Sequence, residues 1–350
     1  MPLFYIHHTT CISPQQTFPH ADLSVSHQPV DNKLKVIEPK YDGIPPGILR
    51  RMSKAVRIGV GAALPLLNKL PAPDGIIIGT ANAGMEDCFH FLKQIVDYAE
   101  GQLTPGNFVQ STPNAIAAQL SMISHNKGYN ITHVHLGLAF ENAVIDAGMM
   151  INGHPENNYL LGAVDDIASY NYTLNSLAGW FKKEAFTTNN LYALNTQGSL
   201  AGEAASMFLV NGQPANAIAQ LRAIHTIHST DETVIQQHLK TFLEKHLPTD
   251  EKIDLLISGE NGDNRLLKYY TSCEKAVPHD VTIVRYKHMC GEYPTVSAMA
   301  LWLSCYLLQK NPIPQHLFKQ KSIVPDFKNI LIYNNYKGAQ HSFMLVSRMG

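Results

Sequence analysis

Charge of one sign is what this sequence most plainly lacks. Its 350 residues carry 27 Lys+Arg against 28 Asp+Glu, and only 16% are charged. No global positive field exists to gather phosphates, which argues against a nucleic-acid-binding chain. With 45% hydrophobic residues and so little charge, disorder is excluded too. The five cysteines, Cys11, Cys88, Cys273, Cys290 and Cys305, are odd in number and show no C-x-x-C spacing. Neither a disulfide framework nor a zinc knuckle follows. No run approaches the roughly 18 uninterrupted apolar residues of a membrane span. The opening MPLFYIHHTTCIS lacks the basic and continuously apolar regions of a signal peptide. A soluble, reduced, cytoplasmic protein is the expectation, and its length suits one large domain or two intimately packed halves.

Short apolar runs alternate with longer amphipathic ones. Gly75 to Gly79 (GIIIG) reads as a buried strand entering a Gly/Ala/Asn turn. Met85 to Glu100 has helical apolar spacing with acids in its first turn. Asn114 to His125 predicts another helix, with Asn114 as N-cap. Ile131 to Leu136 predicts a strand and Phe140 to Ile151 a helix, joined by a tight turn.

A second series follows, with strands at Ala205 to Asn211, Ile253 to Ser258 and Val281 to Tyr286. Thr233 to His246 predicts an amphipathic helix and Ser297 to Gln309 a buried apolar one. Asn329 to Tyr333 and Ser342 to Ser347 read as paired strands around Tyr336-Lys337-Gly338-Ala339. Gln15 to Gly43 and Pro312 to Asp326 read as surface loops. The alternation predicts a layered α/β fold with helices on both faces of the sheets.

Six segments carry a resemblance in one order: FYIHHTTCISPQQT, LRRMSKAVRIGVGAALPLL, IIIGTANAGMEDCFHFLKQI, LTPGNFVQSTPNAIAAQLSMISHNKGYNIT, QGSLAGEAASMFLV and NNYKGAQHSFMLVSR. None is specific alone. As an ordered set they resemble the β-ketoacyl synthase branch of the thiolase-fold condensing enzymes, over nearly the whole chain. The resemblance implies a thiolase-like fold, layered α-β-α-β-α, built from two pseudo-duplicated halves. These would be residues 1–213 and 214–350, forming one integrated unit. No cofactor and no metal is implied.

Active members of this branch place a Cys on a sharp turn before a helix, whose N-terminus favours the thiolate. Counted from Gly128, that position here is Gly137. A shift of one or two residues reaches only His135, Leu136, Leu138 and Ala139, so no Cys, Ser or Thr is available. The first catalytic His falls on Asn261. The second falls on Glu292 in YKHMCGEYPTVSA, where Lys287 matches the family's Lys and Gly291 its Gly. The Gly-Phe-Gly-Gly turn is replaced by Tyr336-Lys337-Gly338-Ala339. Three lost groups on three loops argue against a condensing enzyme.

The pattern is similar to chain-length factors, which lack the Cys and pair with an active ketosynthase in type II polyketide, aryl polyene or flexirubin pathways. The resemblance implies a heterodimer with a ketosynthase, and through it an acyl carrier protein; a homodimer is the fallback. Ala117, Ala118, Met122 and Phe140 would lie near the interface, with Met149 and Met150 lining an acyl tunnel. Arg50, Arg51 and Lys54, or Lys182-Lys183, would meet an acidic carrier protein. Lys287 and Glu292 would form a buried pair. A malonyl-carrier-protein decarboxylase, or another acyl-thioester activity in a remodelled pocket, is one rival. A metal-dependent hydrolase is the other, using His133-Val134-His135 with Glu141 or Asp165-Asp166.

Overall fold

The computed structural model describes residues 2–70, 72–322 and 327–349, so the last four residues of the expected 312–326 loop lie outside the described residues. The first half supplies β1 (Phe4–Ile12), β2 (Gly75–Gly79), β3 (Tyr129–His133), β4 (Tyr159–Asp165) and β5 (Ala204–Asn211). The second supplies β6 (Ala219–His228), β7 (Leu255–Ser258), β8 (Thr282–Arg285), β9 (Asn329–Tyr336) and β10 (Gln340–Arg348).

Their hydrogen-bonded order is β3-β2-β4-β5-β1 in one half and β8-β7-β9-β10-β6 in the other. The senses match as well. β2 runs parallel to β3 and β4, as β7 does to β8 and β9, and the remaining pairings are antiparallel in both. The duplication is one of topology, invisible as residue identity. An antiparallel junction of β1 with β6, Phe4 opposite Leu221 and Ile6 opposite Ala219, makes the two orders continuous.

The principal helices are α1 (Lys54–Leu67), α2 (Met85–Asp97), α3 (Ala115–Ser124), α4 (Ala139–Gly153), α5 (Ser169–Leu177), α6 (Glu232–His246), α7 (Leu267–Lys275) and α8 (Ser297–Leu308). Strand side chains alternate between faces, and the cores separate accordingly. Ile77 and Leu161 join Phe140 and Ala147 of α4 and Met299 and Leu303 of α8, together with Ile257, Ile332 and Met344 of the other half. Ile76, Ile78 and Leu160 face the opposite way, onto α1 and α3. Leu256, Leu331 and Leu345 turn toward α6 and α7. The layers therefore run α-β-α-β-α, with α4 and α8 between the sheets. α8 is apolar all round because it is covered on every side.

Two departures bear on the site. The strand expected over Ile131 to Leu136 spans Tyr129–His133 instead, because Leu136 takes the left-handed region (φ 48°) and opens a short 3-10 turn, Leu136–Leu138. The outer edges also differ: Phe318–Gln320 pairs antiparallel with β8, whereas β3 has no outer partner among the described residues.

Candidate functional site

The turn between β3 and α4 buries Gly137. Its N–H donates to Gln340 Oε1 at 2.9 Å. A Cβ built on Gly137 would lie 2.2 Å from the Cβ of Tyr336, the first residue of the Tyr336-Lys337-Gly338-Ala339 turn. The space beside Gly137 is thus filled by a side chain from the other half.

The other family-matched positions converge. Glu292 accepts from Lys287 Nζ at 2.8 and 3.1 Å, and from Asn261 Nδ2 at 2.8 Å. Lys287 is completely buried, while the Glu292 side chain is 11% exposed. Asn261 is itself fixed, its carbonyl accepting from Ser199 Oγ at 2.6 Å and its Oδ1 from the Asp263 N–H at 3.1 Å. Gly291 (φ 75°) sets the depth: a Cβ there would meet the Gly202 backbone at 2.5 Å. Only glycine lets these two segments touch, and the contact places Glu292. His288 points elsewhere, bonded to His316 at 2.8 Å and to the Tyr192 hydroxyl at 3.2 Å. Burial pushes its pKa down to about 3, so it stays neutral.

Asn261, Glu292, Tyr336 and Lys337 line one cleft, of about 590 Å³ counting its open mouth. Asn171, Asn175, Tyr172, Trp180, Phe181 and Asp166 line it as well. Lys337 Nζ donates to Asn175 Oδ1 at 2.6 Å, and burial lowers its pKa. Lys287 does not reach the cleft; Glu292 does.

Two carboxylates here escaped the sequence reading as structural groups. Asp165 accepts from the N–H groups of Ala81, Asn82 and Thr295 and from the hydroxyls of Thr80 and Thr295, tying the halves together. Glu203, in the Gly-Glu of SLAGEAA, is fully buried and accepts from the Val36 and Ile167 N–H groups and from Lys54. That Gly-Glu pair was the available signal.

The remaining candidates separate by burial. Ala117 and Phe140 are core residues, Ala118 and Met150 are half-buried, and Met122 and Met149 are 64% and 71% exposed. Arg50 and Arg51 lie on the surface, but Lys54 turns onto Glu203. Lys182 is a correction: it is buried against Thr196, so Lys183 alone of that pair reaches solvent. The metal reading also needs correcting. His133 Nε2 meets Asp146 at 3.0 Å and His135 Nδ1 meets Asn142 at 2.9 Å, each ring satisfied by α4. Glu141 is bonded to Ser342, and no three His, Cys, Asp or Glu side chains gather to hold a metal ion among the described residues.

A search of curated protein sequences finds no match. Solved structures do match. The ketosynthase ApeO in complex with its chain length factor ApeC from Xenorhabdus doucetiae superposes with a TM-score of 0.79 at 11% identity, covering 99% of this chain and 98% of that one. The ishigamide ketosynthase/chain length factor gives 0.76 at 12%, covering 99% of each chain. A β-ketoacyl synthase from Burkholderia phymatum gives 0.76 at 12%, with full coverage of both. Identities this low establish the fold and no more. The family model for the β-ketoacyl synthase N-terminal domain matches residues 24–241, most of the chain. With that match over this layered, duplicated fold, the chain belongs to the β-ketoacyl synthase family.

Proposed function

We propose that the chain is a ketosynthase-like subunit without condensing activity of its own, pairing with an active ketosynthase in the manner of a chain-length factor. The observation that carries this reading is the Gly137 seat, where Tyr336 leaves no space for a nucleophile. The catalytic positions hold Asn261 and a salt-bridged Glu292, which supply neither an imidazole nor an acyl acceptor.

The open edge of β3 supports the pairing. An unpartnered edge strand is a template for a second chain, and Met122, Val134, Leu136 and Met149 are exposed around it. Arg50 and Arg51 then stand as carrier-protein contacts, and polyene or fatty-acid-like biosynthesis as the setting.

The test is co-expression with the ketosynthase encoded nearest to this chain. Native mass and malonyl-carrier-protein turnover are then measured for each protein alone and together. A one-to-one complex that elongates, with this subunit silent alone, is the expected result. Decarboxylation or condensation by this chain alone would overturn it, in favour of an acyl-thioester activity using Glu292 and Asn261.

A further inference from the structure

One carboxyl in the cleft is served by nothing in the fold. Asp166 is 8% exposed and opens onto the cleft. Beyond its own backbone it takes no hydrogen bond from any described residue. Its acidic neighbours are complete by contrast: Asp165 has five donors, and Glu203 has two amides and Lys54. A carboxyl this buried can take a donor only from the cleft, where a proton, water or a ligand that donates can reach it.

The local field decides which kind of donor gains most. Glu203 and Asp165 press negative charge on Asp166 and Lys54 offsets only part of it, while Glu292 on the same cleft is already held by Lys287. Lys337 also lines the cleft, donating to Asn175, so a cation gains chiefly from Asp166 and from the field of Asp165 and Glu203 behind it, where a hydroxyl gains one hydrogen bond. The ring faces are taken, with Lys33 3.8 Å from the Tyr172 centroid and Arg265 4.3 Å from that of Trp180. A cationic ligand must therefore be read by the carboxylate itself. Ile167 and Ala168 beside it, with the edges of Tyr172 and Phe181, offer an apolar wall for the ligand's body.

We propose that this cleft binds a small primary amine, its ammonium group on the Asp166 carboxylate and its hydrocarbon body along that wall. The site does not depend on pairing with a ketosynthase, and it stands or falls separately.

The test titrates n-butylamine, 1-butanol and butyrate into the full chain by ligand-observed NMR at pH 8. Butylamine should bind with a Kd on the order of 1 mM, and both analogues at least tenfold more weakly. Asp166→Asn should abolish butylamine binding while the thermal midpoint without ligand does not fall. The unmodified protein gives a second readout. Burial and the two acids raise the Asp166 pKa to about 7, so protons compete and affinity should drop about tenfold from pH 8 to pH 6. Butanol binding as well as butylamine, unchanged affinity in Asp166→Asn, or affinity flat between pH 8 and 6 would each overturn the proposal.

Discussion

At the far edge of the second half, β8 is covered by Phe318–Gln320. At the matching edge of the first half, β3 has no such cover among the described residues. Exposed large apolar side chains follow the same division: among the described residues the second half shows Val234 and Leu267, while the first shows Met122, Val134, Leu136 and Met149 around β3 alone. Two copies of one topology thus differ where a partner would be needed. The second half adds a short strand outside its parallel trio, and the first has none there among the described residues.

The largest expected effect comes from putting the same residue into both edges. Tyr129 and Thr282 each donate their N–H inward, to Asp74 and Asp254. Alternation along the strand then turns the amides of Thr132 and Ile283 outward. Thr132→Pro should leave the thermal midpoint nearly unchanged and abolish the complex with the ketosynthase on native mass spectrometry. Ile283→Pro should cost on the order of 3 kcal/mol of stability in denaturant titration and leave pairing intact in the protein that remains folded. If both variants lose stability equally and both still pair, the edges are equivalent and the comparison fails.

The halves differ again at the loops that carry the family-matched positions, where the first brings a bare glycine and the second a charged pair. Glu292→Gln leaves Lys287 as a buried cation without its counter-ion. Removing one partner of such a pair costs about 3–5 kcal/mol, and urea unfolding should show it. A loss below about 1 kcal/mol, as for surface pairs, would mean that Lys287 finds water there.

Gly137→Cys sharpens the same contrast. The added side chain meets Tyr336, so stability should fall by about 3 kcal/mol, the upper end for overpacking. No acyl-enzyme should appear by mass spectrometry after incubation with acyl-carrier protein. The double variant Gly137→Cys, Tyr336→Gly should recover part of the loss. Acylation of the single variant would show that Tyr336 moves aside.

Much of this was legible in the sequence, for physical reasons that differ by element. GIIIG is buried on both faces and bounded by glycines, so β2 was read to the residue. α8, apolar all round, was placed within one residue of its end. α5 (SYNYTLNSL) buries no residue, and its polar periodicity gives no signal. β6 (AQLRAIHTIH) carries Arg222 and His225 on a partly exposed face, which breaks the apolar run. The absence of Cys, Ser or Thr around Gly137, and of His at Asn261 and Glu292, was readable from position alone. The occupation of the Gly137 seat by Tyr336 was not, since it depends on how a hairpin from the second half meets a turn of the first. Asp166 was hidden by Asp165: adjacent identical residues face opposite environments on a strand end, and only the packing shows which one is served.

The smallest expected effect lies between the two central helices, which also differ in charge. α4 carries Glu141 in its first turn, while α8 begins with Ser297, and the Glu141 Oε2 and Ser297 Oγ are both buried without a hydrogen-bond partner. Burial pushes the Glu141 pKa from 4.5 to about 7, although Ser342 donates to its Oε1 at 2.7 Å. Between those values the unfolded chain has released a proton that the folded chain still holds, so stability falls as pH rises through that window. Glu141→Gln keeps an acceptor for Ser342 and removes the titration. It should be near neutral at pH 4.5 and stabilising by roughly 2 kcal/mol at pH 6, measured by urea unfolding across the range. The matched change in α8, Ser297→Ala, removes a hydroxyl that also lowers the Glu141 pKa, so it should cost more stability at pH 8 than at pH 4.5. An effect of Ser297→Ala that is equal at every pH would mean that burial and Ser342 alone set the proton affinity of Glu141.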